Sequence, residues 1–435
     1  MHSERKIMRI ERNKYLNDLV VRMGNGAIKV VTGIRRCGKT YLVFNLFREY
    51  LRTNGVPDDH VIEIALDAEA NADLRDARIL DAYLSDRIND DGQYYVLLDE
   101  VQYAITTKEL RSKDEPPALY GVLNGLLHRS NVDVYVTGSN SKLLSTDVMT
   151  EFRGRGDEVR LMPLSFAEFM QVFEGDRYEG WSEYLMYGGM PFLRTMRTDT
   201  QKARYLESLL QEVYLEDVVA RNRVDKTQEL DSLVDILASS VGSLTNPTKI
   251  ESTFCSVMHS KLDSATIARY IDFLEDAFVI DEAVRYDVKG RKYIGTPKKY
   301  YFEDVGLRNA RLGFRQVEEN HLMENVIFNE LRCRGFSVDV GEVVRQERVE
   351  GSNLRKRYEV DFVANLGYKR YYIQSALNLD TPEKAKQEKR SLRLIDDSFK
   401  KIVVVNRVMR PYMDDDGILT LGLFDFLLDP NSLER

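Results

Sequence analysis

The run Gly33-Ile34-Arg35-Arg36-Cys37-Gly38-Lys39-Thr40 has the spacing G-x-x-x-x-G-K-T, which suits phosphate chemistry. Glycine reaches backbone angles closed to other residues, so successive N–H groups can converge on a phosphate. A β-branched run, Val30-Val31-Thr32, precedes the segment and an amphipathic run, Tyr41 to Tyr50, follows it. That is the strand, turn and helix start a phosphate loop requires. Lys39 supplies a point charge for the β- and γ-phosphates, and the Thr40 hydroxyl is a ligand for Mg²⁺. Gly33 through Thr40, with Tyr41, are therefore the expected nucleotide-binding residues.

A second run, Tyr94-Tyr95-Val96-Leu97-Leu98-Asp99-Glu100, is an apolar strand ending in two carboxylates. Strands of a parallel α/β sheet present ligand-binding residues at their carboxyl ends, which brings Asp99 beside the phosphate loop. Asp99 is expected to hold Mg²⁺ with Thr40, and Glu100 to polarise an attacking water. A third β-rich run, Val132 to Val136, ends in Thr137-Gly138-Ser139-Asn140. Asn140, ahead of Ser139, is the residue expected to reach the γ-phosphate or the water. Arg153 and Arg155 lie in the glycine-containing segment Glu151 to Gly156 and are candidates for an arginine finger acting across a subunit interface. The expected chemistry is ATP hydrolysis with Mg²⁺, with Lys39, Glu100, Asn140, Arg153 and Arg155 as its catalytic residues.

In their order, G-I-R-R-C-G-K-T, L-L-D-E-V-Q, T-G-S-N-S-K-L-L-S, the R-G-R loop and M-P-L-S-F-A-E-F resemble the archaeal-type branch of AAA ATPases. More closely, the chain is similar to prokaryotic ATP-binding proteins with an AAA domain and a C-terminal domain of unknown role. The stretch M-Y-G-G-M-P-F-L, Met186 to Leu193, matches that group too. The resemblance implies a five-stranded ASCE sheet, ATP hydrolysis, and a sensor role for the Asn140 position.

The elements that must position these residues alternate along the chain. β-runs at Val61 to Leu66, Val96 to Leu98, Val134 to Val136 and Val159 to Leu161 are separated by helical stretches, as in a parallel sheet covered on both faces. From Ser165 the pattern turns helical. A compact helix from Ser264 to Leu274 is followed by strand-like runs, Val279 to Tyr286 and Lys298 to Phe302, joined through Lys289-Gly290-Arg291-Lys292. Helix, helix and basic-tipped hairpin predict a winged helix, with two readings: Lys289, Arg291 and Lys292 on nucleic-acid phosphates, or a packing module. The Ser264 helix carries Arg269 against Asp272, Glu275 and Asp276, which favours packing.

The last stretch resembles the restriction-endonuclease-like fold. On that resemblance Glu324 in a helix, Asp361 at a strand and Gln374 on the next strand match metal-site positions. The lysine position after Gln374-Ser375 is Ala376, so the site lacks the cation that would orient water, unless Lys384 or Lys386 of the following helix moves in. A degenerate second site is expected.

The expected fold class is thus α/β, in three parts: a P-loop ASCE/AAA parallel-sheet domain at 1–165, a helical and winged-helix region at 166–315, and a nuclease-like α/β domain at 316–435. The chain has 435 residues, 43% hydrophobic and 30% charged, with a net charge of −8. No global basic footprint for nucleic acid exists, though a local patch remains open. Cys37, Cys255 and Cys333 are far apart and lack metal spacing. The charged N-terminus has no apolar signal region, and no run reaches the roughly eighteen apolar residues of a membrane span. A cytoplasmic protein is expected, without membrane contact, and with self-association through the arginine loop. Its expected function is Mg²⁺-dependent ATP hydrolysis driving a conformational switch that acts on DNA or a protein partner. The alternatives are an ATP-gated Mg²⁺-dependent nuclease and an ATP-binding regulatory scaffold without turnover.

Overall fold

A computed structural model of the chain describes residues 9–106, 108–109, 115–138, 156–257, 261–349 and 352–435. The chain is α/β and divides into two compact units. The first runs to Pro163 and includes Asp276–Phe278; the second comprises Leu164–Glu275 and Val279–Arg435.

The first unit is built on five strands: β1 (Ile28–Thr32), β2 (Val61–Ala65), β3 (Tyr94–Asp99), β4 (Val132–Thr137) and β5 (Gly156–Arg160). They run parallel in the order β2-β3-β4-β1-β5. β1 and β3 are buried along their whole length, which is why they read as continuous apolar runs: a parallel sheet is covered on both faces. At the edge, β2 alternates, burying Ile62 and Ile64. With β4 between β3 and β1, the carboxyl ends of all three lie side by side, Val31 opposite Thr137 and Leu98 opposite Val136.

The second unit begins helical. Its helices start where side chains can satisfy the free N–H groups: Ser165 with Glu168, Asp176 with Glu179, and Thr198 with Gln201 each form a reciprocal cap. The Met186 to Leu193 motif has a packing explanation. Gly188 has φ +74°, and a Cβ on Gly189 would sit 2.2 Å from the Leu164 carbonyl oxygen. Asp304 accepts the Gly189 N–H at 2.7 Å, closing the turn.

Eight further strands form one mixed sheet: β6 (Ile280–Asp287), β7 (Lys292–Phe302), β8 (Ser337–Val349), β9 (Ser352–Leu366), β10 (Lys369–Ala376), β11 (Lys400–Val405), β12 (Tyr412–Met413) and β13 (Ile418–Gly422). The order is β12-β13-β11-β10-β9-β8-β6-β7. The β6–β7 hairpin follows the packing reading, because Arg285–Asp287 of β6 pair in parallel with Val340–Glu342 of β8. Its tip is held down as well: Val288 N–H reaches the Glu342 carbonyl at 3.0 Å and Lys289 lies 3.5 Å from Asp396. A single sheet therefore crosses the expected boundary at 315–316.

Candidate functional site

The loop between β1 and the following helix is shaped by glycine. Gly33 has φ +137°, and a Cβ there would lie 2.1 Å from the Leu161 carbonyl oxygen. Gly38, at φ +106°, is likewise in a region that side chains disfavour. Arg12, buried, clamps the loop by donating to the Cys37 carbonyl at 3.2 Å and the Met162 carbonyl at 2.7 Å. Buried Cys37 adds its thiol, 3.4 Å from the Leu161 carbonyl oxygen. Lys39 turns back over the loop, donating to the carbonyls of Gly33 at 3.0 Å and Ile34 at 3.2 Å. Arg35 is half-buried and Arg36 exposed.

Three strand ends meet the loop. The Thr40 hydroxyl donates to Asp99 Oδ2 at 2.6 Å. Thr137, the last residue of β4, donates to the other Asp99 oxygen and accepts the Glu100 N–H at 3.0 Å. Glu100 has φ +51°, an angle costly for a non-glycine residue, and its carboxylate accepts from the Gln102 side chain. Burial raises the Asp99 carboxyl above the ordinary carboxylate range; Thr137 and Thr40 pull it back, while Glu100 and Asp67 add to the rise.

The structure thus brings together Lys39, Thr40, Asp99 and Glu100, and adds Thr137 and Arg12, which sequence reasoning passed over. Thr137 stands inside a segment already singled out, three residues before Asn140. Asn140, Arg153 and Arg155 lie outside the described residues. A cavity of about 420 Å³ borders Tyr41 and is lined also by Arg9, Phe44, Arg48 and Asp58; it flanks the helix after the loop and does not include Asp99 or Glu100.

Thr40 and Asp99 are hard oxygen donors already in contact, a pair that fits Mg²⁺. The expected second site fares differently. Gln374 donates to Asp361 at 2.8 Å, but Glu324 accepts from Lys299 of β7, also at 2.8 Å. The cation near these carboxylates therefore comes from upstream, not from the helix after Gln374, where Lys384 pairs with Glu388 at 2.6 Å. Among the described residues, no group of three His, Cys, Asp or Glu side chains is arranged to hold a metal ion. No described helix is long and apolar enough to cross a membrane.

Residues 25–170 match the model of an AAA domain, and residues 178–318 that of a domain of unknown function, DUF8612. An uncharacterised protein of Haemophilus influenzae is 31% identical over 425 residues, covering 96% of this chain and 98% of that protein. One of Methanocaldococcus jannaschii is 27% identical over 426 residues, covering 93% and 87%. Among solved structures, the Walker-type ATPase PABY2304 of Pyrococcus abyssi is similar at 16% identity and a TM-score of 0.46, over 70% of this chain and 96% of that one. With an AAA domain around its phosphate loop and a relative alike from end to end, the chain belongs to the family of prokaryotic AAA-type ATPases that those two proteins represent.

Proposed function

We propose that the first unit binds ATP with Mg²⁺ and hydrolyses it, and that the nucleotide state switches how the second unit engages DNA or a protein partner. The observation that carries this reading is the network joining Thr40, Asp99, Thr137 and Glu100 at the mouth of the phosphate loop. Thr40 and Asp99 would hold Mg²⁺, which supplies neutralisation of phosphate charge when bound. Lys39 leaves its loop carbonyls for the β- and γ-phosphates. Glu100 accepts a hydrogen bond from the attacking water and takes its proton. Thr137 holds the Glu100 backbone so that this carboxylate is aimed. Asn140 is proposed to contact the γ-phosphate or the water, and Arg153 or Arg155 to offset γ-phosphate charge from a neighbouring copy.

The carboxylate at Glu100 argues against a scaffold that only binds nucleotide, since binding alone needs no base beside the phosphate. The arrangement of Lys299, Glu324 and Asp361 argues against an ATP-gated nuclease.

The test is phosphate release by the full chain under ATP and Mg²⁺, with and without single- or double-stranded DNA. Release stimulated by DNA assigns the partner to nucleic acid; release indifferent to DNA leaves a protein partner. In the same preparation, Arg153→Ala and Arg155→Ala chains are mixed with Lys39→Ala chains. Recovery of turnover in a mixture assigns the finger to that arginine, and failure with both, together with a specific rate independent of protein concentration, rejects a finger in trans.

A further inference from the structure

The second unit gathers three carboxylates around one buried ammonium. Glu324 comes from the helix Glu319–Cys333, Glu359 and Asp361 from β9, and Lys299 from β7. The register of β6 on β7 shifts between Ala283 and Arg285, and the half away from the hairpin tip carries Lys299 and Tyr301. Lys299 Nζ lies 2.8 Å from Glu324 Oε1 and 2.7 Å from Glu359 Oε1, with its side chain only 2% exposed. Tyr301 donates its hydroxyl to the same Glu324 oxygen at 2.7 Å, and its ring stacks on Phe328 at 4.2 Å. Asp361 Oδ2 accepts both Gln374 Nε2 and the Ser375 N–H, each at 2.8 Å.

We infer that Lys299 is the resident cation of this cluster: its ammonium fills the place in which Glu324, Asp361 and Gln374 would otherwise gather a divalent metal, so the cluster takes none. A divalent ion needs several oxygens free to close to roughly 2.0–2.6 Å of one point. Here Glu324 Oε1 and Asp361 Oδ2 are each engaged twice, and the lysine stands between the carboxylates. The ammonium faces Glu324 and Glu359, and Glu359 is the carboxylate that reaches solvent, its side chain 39% exposed. Lys299 has no exit, because its chain is buried on β7 beneath the helix. The carboxylates are thereby held on an ammonium instead of on a metal ion. This inference is independent of ATP turnover in the first unit.

The test uses the full chain without nucleotide, carrying Asp99→Asn to remove the phosphate-loop metal ligand, with Mn²⁺ as probe and free Mn²⁺ read by electron paramagnetic resonance. With Lys299 intact, adding Asp361→Asn should leave Mn²⁺ uptake unchanged. Lys299→Met should gain one bound Mn²⁺ per chain, and Lys299→Met with Asp361→Asn should lose it again; circular dichroism confirms that each variant is folded. A folded Lys299→Met chain that gains no Mn²⁺ would overturn the inference. So would loss of a site on Asp361→Asn while Lys299 is present, and that comparison decides the matter should Lys299→Met fail to fold.

Discussion

Thr137 accepts the backbone N–H of Glu100 at 3.0 Å, and this one bond spans the adjacent strands β4 and β3. It holds Glu100 at φ +51°, in the left-handed region, where the chain turns out of β3. The same hydroxyl donates to Asp99, so a single threonine orients both members of the acidic pair.

Thr137→Val keeps the β-branched shape and removes the hydroxyl. It leaves a buried Asp99 oxygen and the Glu100 N–H without that partner, a loss of about 1–3 kcal/mol. Turnover should fall about tenfold or more with ATP affinity close to wild type, and Thr137→Ser should recover most of it. Steady-state phosphate release, separating kcat from KM, checks this; a rise in KM with kcat unchanged would assign Thr137 to ground-state binding instead.

Gly33→Ala should abolish nucleotide binding while leaving the second unit folded. The added Cβ meets the Leu161 carbonyl oxygen, a backbone atom that cannot swing aside, and φ +137° is closed to alanine. Titration with a fluorescent ATP analogue, beside circular dichroism, measures both effects. Retained affinity would mean that the loop tolerates a shape quite different from the one described.

Lys29 and Asp133 form a buried ion pair inside the first sheet, with Tyr135 and the Gly24 N–H also donating to Asp133. Lys29→Met should destabilise the first unit by about 3–5 kcal/mol, because it strands a buried carboxylate. Lys29→Met with Asp133→Asn should cost less than Lys29→Met alone. Denaturant unfolding followed by tyrosine fluorescence gives both values, and equal losses would show that Asp133 is adequately served by its other donors.

Glu275 gives the pH dependence of the second unit. Burial chiefly, then Glu282 and Asp281, push its carboxyl up to about 8 from an ordinary 4.5, with Asp272 adding to the rise and Lys298 opposing it. The folded chain therefore binds more protons than the unfolded one between those values, so this group's contribution to stability is present at low pH and is lost as pH rises through about 8. Glu275→Gln should match wild type near pH 4 and exceed it near pH 9, on the order of 1 kcal/mol or more. Thermal melts across pH read the difference directly; parallel curves for the two proteins would reject the buried, neutral carboxyl.

The phosphate loop was legible because its chemistry is local. Gly33, Gly38, Lys39 and Thr40 fall within one eight-residue run, and Asp99 and Glu100 follow an unbroken apolar run, so spacing alone singles them out as candidates. Arg12 and Lys29 were not legible, since their partners Met162 and Asp133 lie far along the chain and only the fold brings them close. The β6–β7 hairpin looks the same in sequence whether its outer edge is free or paired; only β8 decides, and β8 lies some fifty residues downstream of β6. Lys299 was missed for a related reason. The order Asp361, Gln374, Ala376 points into the next helix, while the cation enters from a strand that precedes all three.

If Glu100 is the base of an ATP-hydrolysing site and Lys39 holds its phosphates, replacing each side chain must fail in a different way. One preparation each of wild type, Glu100→Gln and Lys39→Ala decides it, measuring bound ATP and released phosphate together. The expected result is turnover in wild type; in Glu100→Gln, ATP bound as in wild type but released phosphate lower by about 100-fold or more; and in Lys39→Ala, loss of both. Wild-type turnover by Glu100→Gln, or wild-type ATP binding by folded Lys39→Ala, would contradict it.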